Sequence, residues 1–274
     1  MVAGSNPVIP TIFLFIMTKK IFLTNDDGIY AAGLSALENS ASKRNLSCFI
    51  SAPLNEQSGA GHSITLGSPL RVSKFSENRF AVHGTPTDAV YIGLNALMGE
   101  KPLFAVSGIN KGGNLGDDIT YSGTVSAAME TFYDGITSFA VSLYITDFAA
   151  FKNETFAVCA DFFFDEILPE IEKKIGKSEL YENPKLFNIN IPETIAKTGK
   201  VPIKWTLFGK RLYGGDVLKR VDPRGKEYYW IGGDQFGFAD IDGSDCHEIR
   251  RGCATITPVS LDFTDEETLE KIRG

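Results

Sequence analysis

Asp26 and Asp27 stand side by side in "IFLTNDDGIY", directly after a run of apolar residues. Adjacent carboxylates repel, and each favours protonation of the other. A turn after a strand needs only one of them, so the pair implies a positive partner. A hard cation is such a partner. Two carboxylates neutralise a divalent ion, hydroxyl or amide oxygens from neighbouring loops complete its shell, and an all-oxygen shell selects Mg2+, Mn2+ or Ca2+ over Zn2+. Open positions then remain for water and for an anionic oxygen.

Two more polar stretches follow apolar runs in the same manner: "NEQSGAGHS" (55–63) and "INKGGNLGDDITYSG" (109–123). In open parallel sheets, ligands bind outside the carboxyl ends of the strands. Three such loops therefore predict one site. The third loop runs into "YSGTVSAAME", where Ser122, Gly123 and Thr124 open a helix. Free N–H groups and hydroxyls at a helix start hold anions, and a glycine allows close approach. The bland alternative is that Ser122 is only an N-cap. Cation and anion site together point to phosphate.

Competing motifs fail on spacing. "SGAGHS" begins like a dinucleotide fingerprint, but Ile64 stands where the third glycine belongs. No Gly-Lys-Ser/Thr occurs, so there is no P-loop, and "TNDDG" is not an Asp-x-Asp nucleophile motif. Cys246 beside His247 fits no common zinc spacing. His62 reads as a residue bonding near the metal loop rather than as a catalyst, His83 as structural, and Asp117 and Asp118 as solvated loop residues.

The positioning elements are legible as patterns. "KKIFLT" (19–24), "AAGLSALENSASKR" (31–44) and "LSCFISAP" (46–53) read strand, helix, strand, a βαβ unit that implies a parallel sheet covered by helices. "LRVSKF" and "RFAVHG" read as short strands. Thr85 caps a helix with Pro86 at its first position and Asp88 in its first turn. "LFAVSG" (103–108), "FAVSLYI" and "KLFNINIP" (185–192) read as strands. "TVSAAMETFYDG" and "FAVCADFFFDEILPEIEKKI" read as helices, with the run "DFFFDE" (161–166) as helix core. Residues 199–232 turn β-rich around the hairpin-like "VDPRGK" and read as an arm rather than a layer of the sheet. Trp205, Phe208, Tyr213, Tyr228, Tyr229 and Trp230 on that arm suit an interface. "CATITP" (253–258) reads as a strand and "TDEETLEKI" (264–272) as a helix with a Thr264–Glu267 capping box.

The 274 residues suit one large α/β domain. With 43% hydrophobic and 22% charged residues the chain is of the soluble globular class, and its net charge of −7 disfavours nucleic-acid polymers. Four cysteines without a Cys-x-x-Cys pair read as reduced thiols of a cytoplasmic protein. The first 17 residues end in the apolar "TIFLFIM" (11–17), too short to span a bilayer and without a basic leader or cleavage site. Residues 1–16 read as a dispensable extension before a natural start at Met17, and no membrane association is expected.

"TNDDG", "SGAGHSITL", "GTPTDAVYIGLNAL" and "VSGINKGGNLGDDITYSGTVSAAME" together resemble the SurE family of survival-protein nucleotidases. The resemblance runs from about Met17 to the C-terminus and is densest over residues 20–130. It implies a three-layer α/β/α sandwich with a Rossmann-like, largely parallel core sheet, residues 17–274 forming one domain with 199–252 as a β-rich C-terminal oligomerisation arm. It implies a divalent metal, Mg2+ or Mn2+ foremost, on Asp26, Asp27, Ser58 and Asn110. It also implies a phosphate pocket of Asn114, Ser122, Gly123 and Thr124, with Asp26 and Asp27 as the catalytic residues. Expected partners are nucleoside 5′- and 3′-monophosphates and further copies of the chain, as a dimer or tetramer. The departures from the family pattern are the N-terminal extension and the segment 234–252. Two rival readings are a broad phosphatase acting on polyphosphate or sugar phosphates, and a non-catalytic nucleotide-binding module.

Overall fold

Nine strands form one sheet in a computed structural model that describes residues 20–213, 217–231 and 236–273. The expectations for residues 1–16 and for Met17 lie outside the described residues. The first half of the chain contributes β1 (Lys20–Thr24), α1 (Ala32–Lys43), β2 (Ser47–Pro53), β3 (Val72–Ser76), β4 (Arg79–Val82) and α2 (Pro86–Ile92). Then come β5 (Ala105–Lys111), α3 (Gly123–Tyr133), β6 (Ser138–Tyr144), α4 (Glu154–Phe162), α5 (Leu168–Ile175), α6 (Lys177–Glu182) and β7 (Leu186–Pro192). The last part adds α7 (Ile195–Thr198), β8 (Ile203–Trp205), β9 (Arg211–Tyr213), β10 (Val217–Val221), β11 (Glu227–Ile231), β12 (Phe236–Phe238), α8 (Asp245–Arg250), β13 (Ala254–Val259) and α9 (Glu266–Arg273).

The sheet order is β3-β4-β2-β1-β5-β6-β7-β13-β8. The run from β4 to β7 is parallel throughout; β3 pairs antiparallel with β4 and β13 with β7, while β8 runs parallel to β13. Its central strands are apolar on both faces, as a sheet covered on both sides requires. In β1, Ile21 and Leu23 face α1 and α4, while Phe22 faces α2 and α3 in a row with Phe49 and Phe80. Each such buried side chain stabilises the fold by roughly 1.5–3 kcal/mol. The result is the expected three-layer α/β/α sandwich. Phe162, Phe163 and Phe164 are all buried, so the "DFFFDE" run is helix core.

Chain direction decides where a site can form. From β1 the chain moves outward to β2 and β4, then returns through α2 to place β5 on the other side of β1. The crossing leaves a crevice at the carboxyl ends of β1 and β5, the switch point where open α/β sheets bind ligands.

Three expectations change in detail. Residues 203–205 are not part of the arm: β8 is the edge strand of the main sheet, and Trp205 is half-buried with its ring edge-on to Phe187. The arm proper is the hairpin β10–β11, turned by Asp222, with the β9–β12 pair at its base. Third, Asp265 and not Thr264 caps α9, accepting from the N–H and the hydroxyl of Thr268. A carboxylate one position nearer the helix outcompetes the box. Among the described residues no helix is long and apolar enough to cross a membrane.

Candidate active site

The turn after β1 is built by Asn25, which is fully buried. Its side chain donates to the Gly28 carbonyl at 3.0 Å and accepts from the Gly28 N–H at 3.2 Å. Gly28 adopts φ +99°, a left-handed conformation that side chains disfavour. This closed loop presents Asp26 and Asp27 outward from the sheet. The second loop is tied to the first where the Gln57 N–H donates to the Asp26 carbonyl at 2.8 Å. β5 continues beyond its expected end through Asn110 and Lys111, with a register irregularity between Gly108 and Asn110.

These segments enclose a cavity of about 430 Å3. Asp26, Asp27, Ser58, Asn110, Asn114 and Ser122 all line it, so most of the residues read from the three loops do converge. Ser58 donates to Glu56 Oε1 at 2.7 Å. The Asn110 amide nitrogen donates to the Gly112 carbonyl at 2.9 Å, which fixes the orientation of that side chain. His62 bonds Glu130 at 2.8 Å and stacks on Tyr133, outside the cavity lining.

Gly123 and Thr124 take up different positions from Ser122. Thr124 is fully buried, and its hydroxyl donates to Asp26 Oδ1. Its N–H also bonds the Asp26 carboxylate. A Cβ on Gly123 would lie 2.7 Å from Asp26 Cβ and 2.9 Å from Oδ2. The positive end of α3 is therefore spent on Asp26, a stabilising placement for a carboxylate. Ser122 is the N-cap, accepting from the Val125 N–H at 3.1 Å, and it also faces the cavity.

Electrostatically the site is acidic. Burial holds the Asp26 carboxyl above the ordinary carboxylate range, against the lowering hydrogen bonds from Thr124. Burial, then the charge of Asp26, push Asp27 up to about 6; a bond from the Lys111 N–H opposes them. Glu56 and Asp118 also line the cavity, against the ammonium of Lys111. Asp118 is compensated by Arg211 of β9 at 2.8 Å, but the trio Asp26, Asp27 and Glu56 is not matched by Lys111 alone. The donor set of closely spaced, desolvated carboxylates flanked by hydroxyl and amide oxygens fits a hard divalent cation.

The loop reading of the sequence missed several residues. Asn114 donates through its amide to Ser142 Oγ at 2.8 Å, and its main chain bonds Asn188 and Asn190 of β7. Asp245 of α8 accepts from the Gly116 N–H. Asp245 falls in the segment 234–252 that departs from the family pattern. The visible signal for the asparagines was a polar "NIN" inside an otherwise apolar strand, which a fully buried β-strand does not need.

A doubly wound α/β fold with an acidic, oxygen-rich cavity at its switch point defines a class: α/β proteins with a ligand crevice at the carboxyl edge of a parallel sheet. Comparison with known proteins narrows this. The sequence profile of the family "Survival protein SurE" matches residues 21–215. A "5′-nucleotidase SurE" of Geotalea daltonii is 43% identical over 254 residues, covering 93% of this chain and 98% of the relative. The protein of the same name from Geobacter sulfurreducens is 42% identical over 255 residues, covering 93% of each chain. The crystal structure of a SurE protein from Aquifex aeolicus superimposes with a TM-score of 0.75 at 37% identity, covering 93% of this chain and 98% of that one. The chain belongs to the SurE family.

Proposed function

We propose that this protein is a divalent-metal-dependent phosphomonoesterase that hydrolyses nucleoside 5′-monophosphates, and 3′-monophosphates as well, to nucleoside and phosphate. The observation that carries the reading is the adjacent pair of buried Asp26 and half-buried Asp27 sharing one cavity with Ser122 and Asn114. A phosphate dianion entering a cavity with this excess of carboxylates is repelled unless a cation offsets them. Relatives at about 40% identity carry the name 5′-nucleotidase, which supports the substrate class.

Asp26, Asp27, Ser58 and Asn110 would hold the metal. The chemistry a divalent ion would supply there is polarisation of a phosphoryl oxygen and a lowered pKa for a water. The protein's own groups do the rest. Thr124 and the start of α3 fix Asp26 in place. Asp27, less buried, orients the attacking water opposite the leaving alkoxide. The Ser122 hydroxyl and the Asn114 amide hold phosphoryl oxygens as charge shifts onto them. Lys111, at the cavity wall, offsets part of the remaining negative charge. Gly123 and Thr124 serve the phosphate through Asp26 rather than by contact.

The exposed face of the β10–β11 hairpin supports assembly as a homo-oligomer. Tyr229, Trp230 and Ile231 are all largely exposed there. Four free cysteines support a reducing, cytoplasmic location. The deciding experiment is a kinetic panel over 5′- and 3′-mononucleotides, polyphosphate and sugar phosphates, with Mg2+, Mn2+ or EDTA. Preference for mononucleotides that EDTA abolishes is the expected result. Equal rates on sugar phosphates or polyphosphate support the broad phosphatase instead, and binding without turnover supports the module.

A further inference from the structure

The third loop is held by its main chain at two points by fully buried polar side chains from distant elements, Asn190 with Asn188 at Asn114 and Asp245 at Gly116. Asn190 of β7 pairs with both sides of Asn114. Its amide donates to the Asn114 carbonyl at 2.8 Å, and its Oδ1 accepts the Asn114 N–H at 2.9 Å. Two residues on, Asp245 of α8 accepts the Gly116 N–H at 2.9 Å through Oδ2. Its Oδ1 accepts the N–H groups of Gly209 and Cys246, both at 2.7 Å. The chains meet closely here: Gly116 sits at φ +52°, and a Cβ on it would fall 2.6 Å from the Gly209 carbonyl oxygen.

Neither side chain suits its position for the sake of stability alone. A strand buried on both faces is normally apolar throughout. A fully buried carboxylate such as Asp245 is costly even when hydrogen-bonded. What both achieve is a fixed path for residues 114–116, which lead through the 3-10 turn Gly116–Thr120 to Ser122 at the start of α3. The proposed metal ligands come from the first two loops and from β5, and none of them bonds Asn190 or Asp245 directly.

We propose that Asn190 and Asp245 are positioning residues that set the phosphate-holding face of the third loop through its main chain, without touching substrate. The inference rests on the phosphomonoesterase reading above. It predicts that phosphate affinity and metal affinity separate when either anchor is altered, whereas loss of a merely structural support weakens both together.

Two near-isosteric exchanges test it. Asn190→Asp sets a carboxylate oxygen against the Asn114 carbonyl. Asp245→Asn sets an amide NH2 against the N–H of Gly116 or of Gly209. For each variant, well below its melting temperature, we would measure Mn2+ affinity by calorimetry, inhibition by inorganic phosphate, and kcat/KM on a nucleoside monophosphate. Mn2+ affinity is expected to stay within about twofold of wild type and phosphate inhibition to weaken about tenfold. A misplaced loop is expected to lower kcat/KM about a hundredfold. Wild-type phosphate inhibition and turnover in both folded variants overturn the inference. So does a joint fall of metal and phosphate affinity. If one variant unfolds, the other decides. Hydrogen exchange in the wild type adds an independent reading: the Asn114 and Gly116 amides are expected to exchange as slowly as core strands, and exchange at loop rates overturns the anchoring. A wild type that neither binds Mn2+ nor cleaves any phosphomonoester sinks the functional reading instead, which keeps the two failures apart.

Discussion

Replacing Asp27 by asparagine should stabilise the metal-free protein at neutral pH, although it removes a residue on which activity depends. Burial and the neighbouring Asp26 raise the Asp27 carboxyl from 3.8 to about 6 in the folded chain. A carboxyl raised on folding costs stability only where it is ionised. Below about pH 4 it is protonated in both states and the cost is absent; the cost grows as pH rises and is complete above about pH 6. At ~1.4 kcal/mol per tenfold change in affinity for the proton, the ceiling is ~3 kcal/mol. Asp27 is only partly buried, and solvent and relaxation reduce that to about 1–2 kcal/mol. Asparagine keeps an acceptor for the Lys111 N–H, so little is lost in exchange.

For a chain of this size about 1–2 kcal/mol corresponds to roughly 2–4 °C in Tm. Saturating metal should reverse the ranking. A ligand at a hundred times its dissociation constant adds ~2.7 kcal/mol to the state that binds it, and the variant has lost one of two carboxylates. Calorimetric Tm measured in EDTA and in excess Mn2+, from pH 4.5 to 8, reads both effects. The argument fails if Asp27→Asn melts below wild type in EDTA at pH 7.5, if the difference ignores pH, or if both proteins gain equally from Mn2+.

Ser122→Ala should lose about 1 kcal/mol of stability with the α3 cap, and lower kcat/KM on a nucleoside monophosphate by more than that loss explains; a pure cap leaves kcat/KM unchanged in the folded variant. Gly123→Ala should weaken Mn2+ binding measured by calorimetry, because the new methyl group meets Asp26 at 2.7 Å; unaltered Mn2+ affinity would remove Asp26 from the metal's ligands. Tyr229→Ser with Trp230→Ser on the exposed hairpin should shift the mass seen by light scattering from an oligomer to a monomer without changing the fold. A wild type that already runs as a sharp monomer at micromolar concentration removes the arm from the assembly reading.

Much of this architecture was legible because it is local. Apolar runs of five to seven residues, each ended by glycine, proline or a polar cluster, mark β1, β2, β5, β6 and β7 one by one. Thr85, Pro86 and Asp88 announce the start of α2, and the reciprocal Thr85–Asp88 box is present. The arm was misjudged where local pattern and tertiary role part. "VPIKWTLFG" is β-rich whether it pairs in a free arm or at a sheet edge, and only the parallel pairing of Ile203–Trp205 with β13 makes it the latter. The C-terminal cap was misjudged for the opposite reason: Thr264 and Asp265 both satisfy the cap pattern, and one residue of register decided between them.

The candidate site divides along the same line. Its reacting groups lie in contiguous motifs, because a strand end and the loop after it can present several side chains at once. That is how "TNDDG" gives away Asp26 and Asp27. Its supports do not lie there. Asn190 reaches Asn114 across 76 residues of sequence, and Asp245 reaches Gly116 across 129. Arg211 reaches Asp118 from the base of the arm. No spacing rule connects such positions; only closure of the sheet brings them together. β7 leaves a trace, two asparagines inside an otherwise apolar strand, whereas Asp245 leaves none, because a carboxylate suits the first turn of any helix. A buried polar residue with no local use is thus a pointer to something elsewhere in the chain that must be held still, and here both asparagines lead to the loop that carries Asn114 and Ser122.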